Sequence, residues 1–190
     1  MNNALIFLID AFARLYLLIL LLRFWLPVLR ANFQNPVAQG VLRFTSPLIV
    51  PVRRFVPAVG RLDTATVLVS FIIQFAVSLL ILILSAGMQS FGVIFSTATL
   101  LALAFASLIN LAMLSVVIFI AAIIIRVVLN LLGKYFGPLS DLLADMTEPL
   151  LRPIRRFIPP LGIIDLSAYI AVILLIALNM VLTDLLPVIH

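Results

Sequence analysis

The chain has 190 residues, of which 65% are hydrophobic and only 10% charged, with a mean hydropathy of +1.36, whereas soluble domains run at roughly 45–50% apolar and about 25% charged. A water-soluble fold of this length cannot hide so much apolar surface, so soluble enzyme, disordered tail and fibrous repeat are set aside and an integral membrane protein remains. Twelve basic residues against seven acidic ones give +5, and the lack of cysteine excludes disulfides, thiolate metal sites and Cys nucleophiles.

Met1-Asn2-Asn3 lacks the basic region of a cleavable signal, and the apolar run that follows carries Asp10 and Arg14. It is therefore expected to stay on the mature protein as a first span, about Ala4 to Leu22, closed by Arg23-Phe24-Trp25 at the interface. A second span is predicted from about Thr66 to Ala86 and a last one from about Leu166 to Leu185. From Thr64 through Ile125 there are 62 residues without a charge, too many for one crossing and enough for two. Gly87-Met88-Gln89-Ser90 is the natural turn, which leaves a third span within about Ser96 to Leu131. That span is longer than a bilayer needs. Tilt, or Phe91 to Phe95 lying along the interface, would absorb the excess.

Two basic connections match without a gap. Thr45-Ser46-Pro47 through Pro51, Arg53-Arg54-Phe55, Pro57, Gly60 and Asp63 recur as Thr147-Glu148-Pro149 through Pro153, Arg155-Arg156-Phe157, Pro159, Gly162 and Asp165, each pair 102 residues apart. Pro36 and Pro138 keep that offset, and Arg23 and Arg126 fall within one residue of it. The expected architecture is an all-α integral membrane protein of about four transmembrane helices, built as two tandem helix-loop-helix repeats over residues 1–86 and 87–190. Each repeat is expected to carry a short Pro-rich interfacial helix. Eleven of the twelve basic residues fall between Arg23 and Arg61 or between Arg126 and Arg156. The positive-inside rule then makes both loops cytoplasmic and both termini external.

Within each loop, Thr45 or Ser46 and Thr147 are placed to cap a short bent helix whose first turn holds a proline. The second proline limits or kinks it and the third ends it; Gly60 and Gly162 permit the return turn, and Asp63 and Asp165 cap the next span. Arg53, Arg54 and Phe55, with Arg155, Arg156 and Phe157, are the candidates for holding anionic lipid headgroups or docking a partner. Asp10 and Arg14 have the spacing of an intrahelical ion pair, which Asp184 on the last helix could join, and an intramembrane charge raises a functional hypothesis. Gln74, Asn110, Asn130 and Asn179 read as interhelical hydrogen-bonding groups, and Ala98, Ala102, Ala106 and Asn110 as a close-packing face. The only histidine is terminal His190, and no phosphate loop, metal cluster or serine elbow is present in the sequence. An enzyme, a cofactor and direct nucleic-acid binding are therefore not expected. The expected partners are an anionic bilayer and a membrane protein or a second copy.

The twice-occurring Pro-x-x-x-Pro-x-Arg-Arg-Phe-x-Pro-x-x-Gly-x-x-Asp element, with its flanking spans, resembles the YggT family of bacterial inner-membrane proteins, related to the YlmG proteins of Gram-positive bacteria, cyanobacteria and plastids. The two copies in one chain resemble the proteobacterial branch. The resemblance implies a role in tolerance of osmotic shock and potassium uptake, or in division, nucleoid distribution or cytochrome assembly. It carries over no catalytic residue.

Overall fold

The computed structural model describes residues 2–60, 62–86, 94–133, 137–157 and 165–186. These form six helices: α1 Asn2–Val28, α2 Pro36–Arg53, α3 Thr64–Ala86, α4 Thr97–Leu131, α5 Pro138–Phe157 and α6 Leu166–Asp184. Four of them, α1, α3, α4 and α6, are long and apolar enough to cross a membrane, as in a multi-pass membrane protein. Their outward faces carry large apolar side chains, among them Phe7, Phe12, Leu101, Phe105 and Met180, a surface suited to acyl chains. The predicted turn at residues 87–90 and Phe91 lie outside the described residues.

Helix α1 packs most extensively on α3 and α4 on α6, while α3 and α4 join the two pairs. The main core runs through Leu17, Leu20 and Leu26 of α1, Ile49 of α2, Ala65 and Val69 of α3, Leu111 and Ile118 of α4, and Leu142 and Met146 of α5. A smaller core joins Ile123 of α4, Leu151 of α5, and Ala168 and Ala171 of α6. At the seam between α1 and α4, Trp25 meets Phe119 edge to face at 4.8 Å. Of the expected alanine face only Ala106 is buried; Ala102 and Asn110 are half-buried and Ala98 is exposed. The buried stripe instead passes through Leu103, Ala106, Ser107 and Leu111.

Helix α4 has 35 residues, a length of about 52 Å against a hydrocarbon core of about 30 Å. Ser96 caps its start by accepting from the Thr99 amide at 3.2 Å. The helix therefore begins after Phe95.

The amphipathic helices α2 and α5 depart from expectation in where they begin. Thr45 does not cap α2. Asn35 does, accepting from the Val37 amide at 2.9 Å, with Pro36 as the first helical residue. That Asn-Pro pair supplies both the oxygen and the preset φ that a helix start needs. Thr147 likewise lies inside α5, which starts at Pro138. Pro47 and Pro51 fall within α2, and Pro149 and Pro153 within α5, all four on exposed surface. A proline interrupts the hydrogen-bond ladder only at its own N–H, and on an outer face the freed carbonyl stays accessible to polar groups. The packed face holds the helix together: Ala38, Thr45 and Ile49 of α2 recur at helical spacing, as do Leu143, Thr147 and Leu151 of α5.

Beyond α2, Val59 and Leu62 exchange backbone hydrogen bonds of 3.1 Å each, and Gly60 takes φ 61 in that turn. A side chain would be strained there, so the predicted use of Gly60 holds. Pro159 and Gly162 lie outside the described residues. The amphipathic regions touch: the Asn35 amide donates to Pro138 O at 2.5 Å, and the Asn32 backbone amide donates to Asp145 Oδ2 at 3.0 Å. Both basic segments therefore stand at one end of the bundle.

Candidate functional site: two arginine–aspartate clusters

The prolines and arginines of each basic segment position a charge cluster beneath an amphipathic helix. In the first, Arg23 near the end of α1 is only 4% exposed and Asp63, just before α3, is equally buried. Arg23 donates to Thr45 Oγ1 at 2.8 Å, Leu42 O at 3.2 Å and Ser46 Oγ at 3.4 Å, and its Nε lies 3.5 Å from Asp63 Oδ2. Arg53 reaches the same carboxylate oxygen at 2.6 Å. Asp63 Oδ1 meanwhile accepts from the Thr66 amide at 3.4 Å. One carboxylate thus caps α3 with one oxygen and pins α1 and α2 with the other.

The second cluster repeats this at the sequence offset. Arg126 of α4 donates to Thr147 Oγ1 at 2.6 Å, and Arg155 to Asp165 Oδ2 at 2.5 Å. Asp165 caps α6 through Oδ1, which accepts from the Ser167 amide at 3.1 Å and from the Ser167 hydroxyl. Glu148 adds a second carboxylate, 3.1 Å from Arg126 and 3.2 Å from Arg155. At that position the first cluster has Ser46.

Partial burial of Asp165 acts to raise its pKa, but hydrogen bonds from Ser167 and Arg155 and the charge of Arg155 outweigh it, and the net shift is downward. Because the folded value lies below the unfolded one, Asp165 contributes stability above the unfolded value, and that contribution fades as pH falls through the folded value. A carboxyl-carbon NMR titration should accordingly place its midpoint below the usual aspartate range. A midpoint at or above that range would mean the Arg155 contact does not hold the carboxylate.

The clusters divide each predicted Arg-Arg-Phe element. Arg53 and Arg155 turn inward to carboxylates, whereas Arg54, Phe55 and Arg156 are exposed, Phe55 at 86%. Phe157 is the last residue of α5, and its side chain lies outside the described set. Thr45 and Thr147, expected as caps, instead accept from Arg23 and Arg126, a pairing that the motif alone did not give. A hydroxyl recurring on the apolar stripe of each amphipathic helix, with an arginine near the end of each preceding span, was the available signal.

The intramembrane candidates behave differently. Asp10 and Arg14 form the expected pair at 2.8 Å, with the Arg14 side chain 63% exposed on the outside of α1. Asp184 is exposed near the end of α6 and does not join them among the described ion pairs. Gln74 bonds Ser78 on its own helix at 3.1 Å rather than a neighbouring helix.

A cavity of about 450 Å³ opens beside the first cluster, lined by Pro27, Arg30, Ala31, Phe33, Arg53, Ala58, Gly60 and Asp63. A groove of about 400 Å³ between α4 and α6 is lined by Ile123, Ile124, Val127, Val128, Asn130, Leu131, Asp165, Ala168, Tyr169 and Val172. Among the described residues no group of three His, Cys, Asp or Glu side chains is arranged to hold a metal ion.

The family model CCB3/YggT matches residues 2–84 and 105–186. The chain is similar to "Uncharacterized protein YggT" of Escherichia coli (strain K12), at 33% identity over 97% of this chain and 92% of that one. It is similar to an uncharacterized protein in the proC 3′ region of Vibrio alginolyticus, at 35% identity over 96% of this chain and 95% of that one. It is also similar to an uncharacterized protein of Pseudomonas aeruginosa, at 36% identity over 97% of this chain and 90% of that one. No solved structure matches.

Proposed function

The chain belongs to the CCB3/YggT family, and from that premise we propose that it is a non-catalytic protein of the bacterial inner membrane that contributes indirectly to osmotic-stress tolerance and potassium homeostasis. Both basic segments face the cytoplasm and both termini the outside in this reading. It is supported by the concentration of basic residues in those segments and by the contacts of Asn32 and Asn35 with α5. The observation that carries the indirect role is the placing of charge in the spans. Asp10 and Arg14 close on each other on the outside of α1, and Arg23 and Arg126 are tied into clusters at one end of the bundle. An ion path would instead run its polar groups along the interior.

A second reading makes the protein a membrane scaffold or assembly factor, in division, nucleoid distribution or cytochrome assembly, that docks a partner or anionic lipid through its Arg-Arg-Phe loops. The outward Arg54, Phe55 and Arg156 favour it, and it is compatible with an indirect osmotic role. The internal ion pairs change which variants test it, since Arg53→Gln and Arg155→Gln would perturb folding as well. In a strain lacking the corresponding gene, grown under salt and potassium limitation, Asp10→Asn with Arg14→Gln should complement as well as the unaltered chain. Arg54→Gln, Phe55→Ala and Arg156→Gln together should fail while inserting normally and should lose crosslinked partners. Liposomes bearing the purified chain should stay tight to potassium. A potassium flux abolished by the Asp10 and Arg14 changes would replace this reading with direct transport.

A further inference from the structure

Two departures from the internal correspondence lie in the first unit, Arg30 in the lining of the cavity and Ser46 in the cluster beside it. Helix α1 ends with the Ala31 amide bonded to Leu26 O at 3.0 Å and the Arg30 amide to Pro27 O at 3.3 Å, the paired closure that calls for a left-handed residue, usually glycine. Arg30 occupies that place at φ 59. Its counterpart after α4 is Gly133 at φ 60, at the same 103-residue offset that relates Arg23 to Arg126. The first unit therefore keeps a long cationic side chain where the second has the residue best suited to the backbone. The other departure is Ser46 in place of Glu148. In the second cluster two guanidinium groups, Arg126 and Arg155, meet two carboxylates. Around the first, among the described residues, Arg23 and Arg53 share Asp63 alone, and Arg30, which lines the same cavity, makes no ion pair.

We propose that this cavity is a phosphate-binding site, in which Arg30 and Arg53 hold the anion beside the Gly60 turn and Phe33 lies against whatever the phosphate carries. A guanidinium offers paired N–H donors matched to phosphate oxygens. The anion supplies the charge that Glu148 supplies in the other cluster. The nearby carboxylate of Asp145 already accepts from the Asn32 amide, and Asp63 is shared between Arg23 and Arg53. The site stands apart from the outward Arg54, Phe55 and Arg156, none of which lines the cavity.

Thermal unfolding of the full chain in an uncharged maltoside micelle tests this, with phosphatidylglycerol, phosphatidylcholine and inorganic phosphate as separate probes. Binding to the folded state should raise the midpoint by several degrees with phosphatidylglycerol and not with phosphatidylcholine. The same rise with inorganic phosphate assigns the phosphate group itself, and a rise with the lipid alone assigns a lipid headgroup. Arg30→Gly, which restores the residue of the second unit, should be at least as stable without ligand and should lose the rise. Ser46→Glu should lose it as well. Arg43→Gln removes an exposed charge outside the cavity and should keep it. No rise with either phosphate probe, an equal rise in Arg30→Gly, or an equal loss in Arg43→Gln would overturn the site.

Discussion

Asp63→Asn should destabilise the fold by about 3–5 kcal/mol, the range for removing one partner of a buried ion pair. The reason is the burial of Arg23, which would keep its hydroxyl and carbonyl contacts but lose its one carboxylate partner among the described residues. A guanidinium in that position has no water to turn to. Arg53 would suffer less, because its side chain is 48% exposed. Asp165→Asn should cost less than half as much. Glu148 remains beside both arginines there, and the side chains of Arg155 and Asp165 are 29% and 24% exposed. Reversible unfolding of both variants in mixed micelles checks the contrast. Equal losses would mean that burial does not set the strength of the first cluster. Arg23→Met combined with Asp63→Asn should recover much of the loss, since the charge left stranded is then gone.

Thr45→Val should cost about 2 kcal/mol, the scale for a hydrogen bond to a charged group. The threonine is fully buried; its hydroxyl donates to Val41 O at 2.7 Å and accepts from Arg23 at 2.8 Å. Valine has nearly the same shape and keeps the packing, so the loss isolates the polar contact. Thr45→Ser, which keeps the oxygen and gives up a methyl, should cost about 1 kcal/mol or less. The same unfolding measurement separates them. A serine variant as damaged as the valine one would assign the effect to packing rather than to Arg23.

The spans were legible because their signal is one of quantity: the uncharged run from Thr64 to Ile125 can only be two crossings, and it holds all of α3 and most of α4. Asp63 and Asp165 were legible as caps because capping is a local matter of one residue and the next turn. The starts of α2 and α5 were not, although Pro36 and Pro138 were visible as a matched pair. Thr45 and Thr147 read as caps because a proline follows two residues after each, and a proline inside a helix ordinarily reads as an end. What overrides it is packing on the opposite face, which a local pattern does not contain. The division of Arg53 from Arg54, and of Arg155 from Arg156, was hidden for the same reason. Adjacent residues on a helix point about 100° apart, so one turns inward to an aspartate and the next turns out, but only the fold says which. Arg23 looked like an interfacial residue because it ends the apolar run. Helix α1 continues to Val28 and α2 folds over it, and that covering makes the arginine internal.

The chain has a single tryptophan, and it stands at the seam of α1 and α4, with its ring edge-on to Phe119 and its indole nitrogen buried without a hydrogen-bond acceptor among the described residues. Indole emission moves to longer wavelength when that nitrogen gains contact with water. The molecule therefore carries its own optical gauge of the joint between its halves, and parting of the two would register as a red shift without any dye being attached.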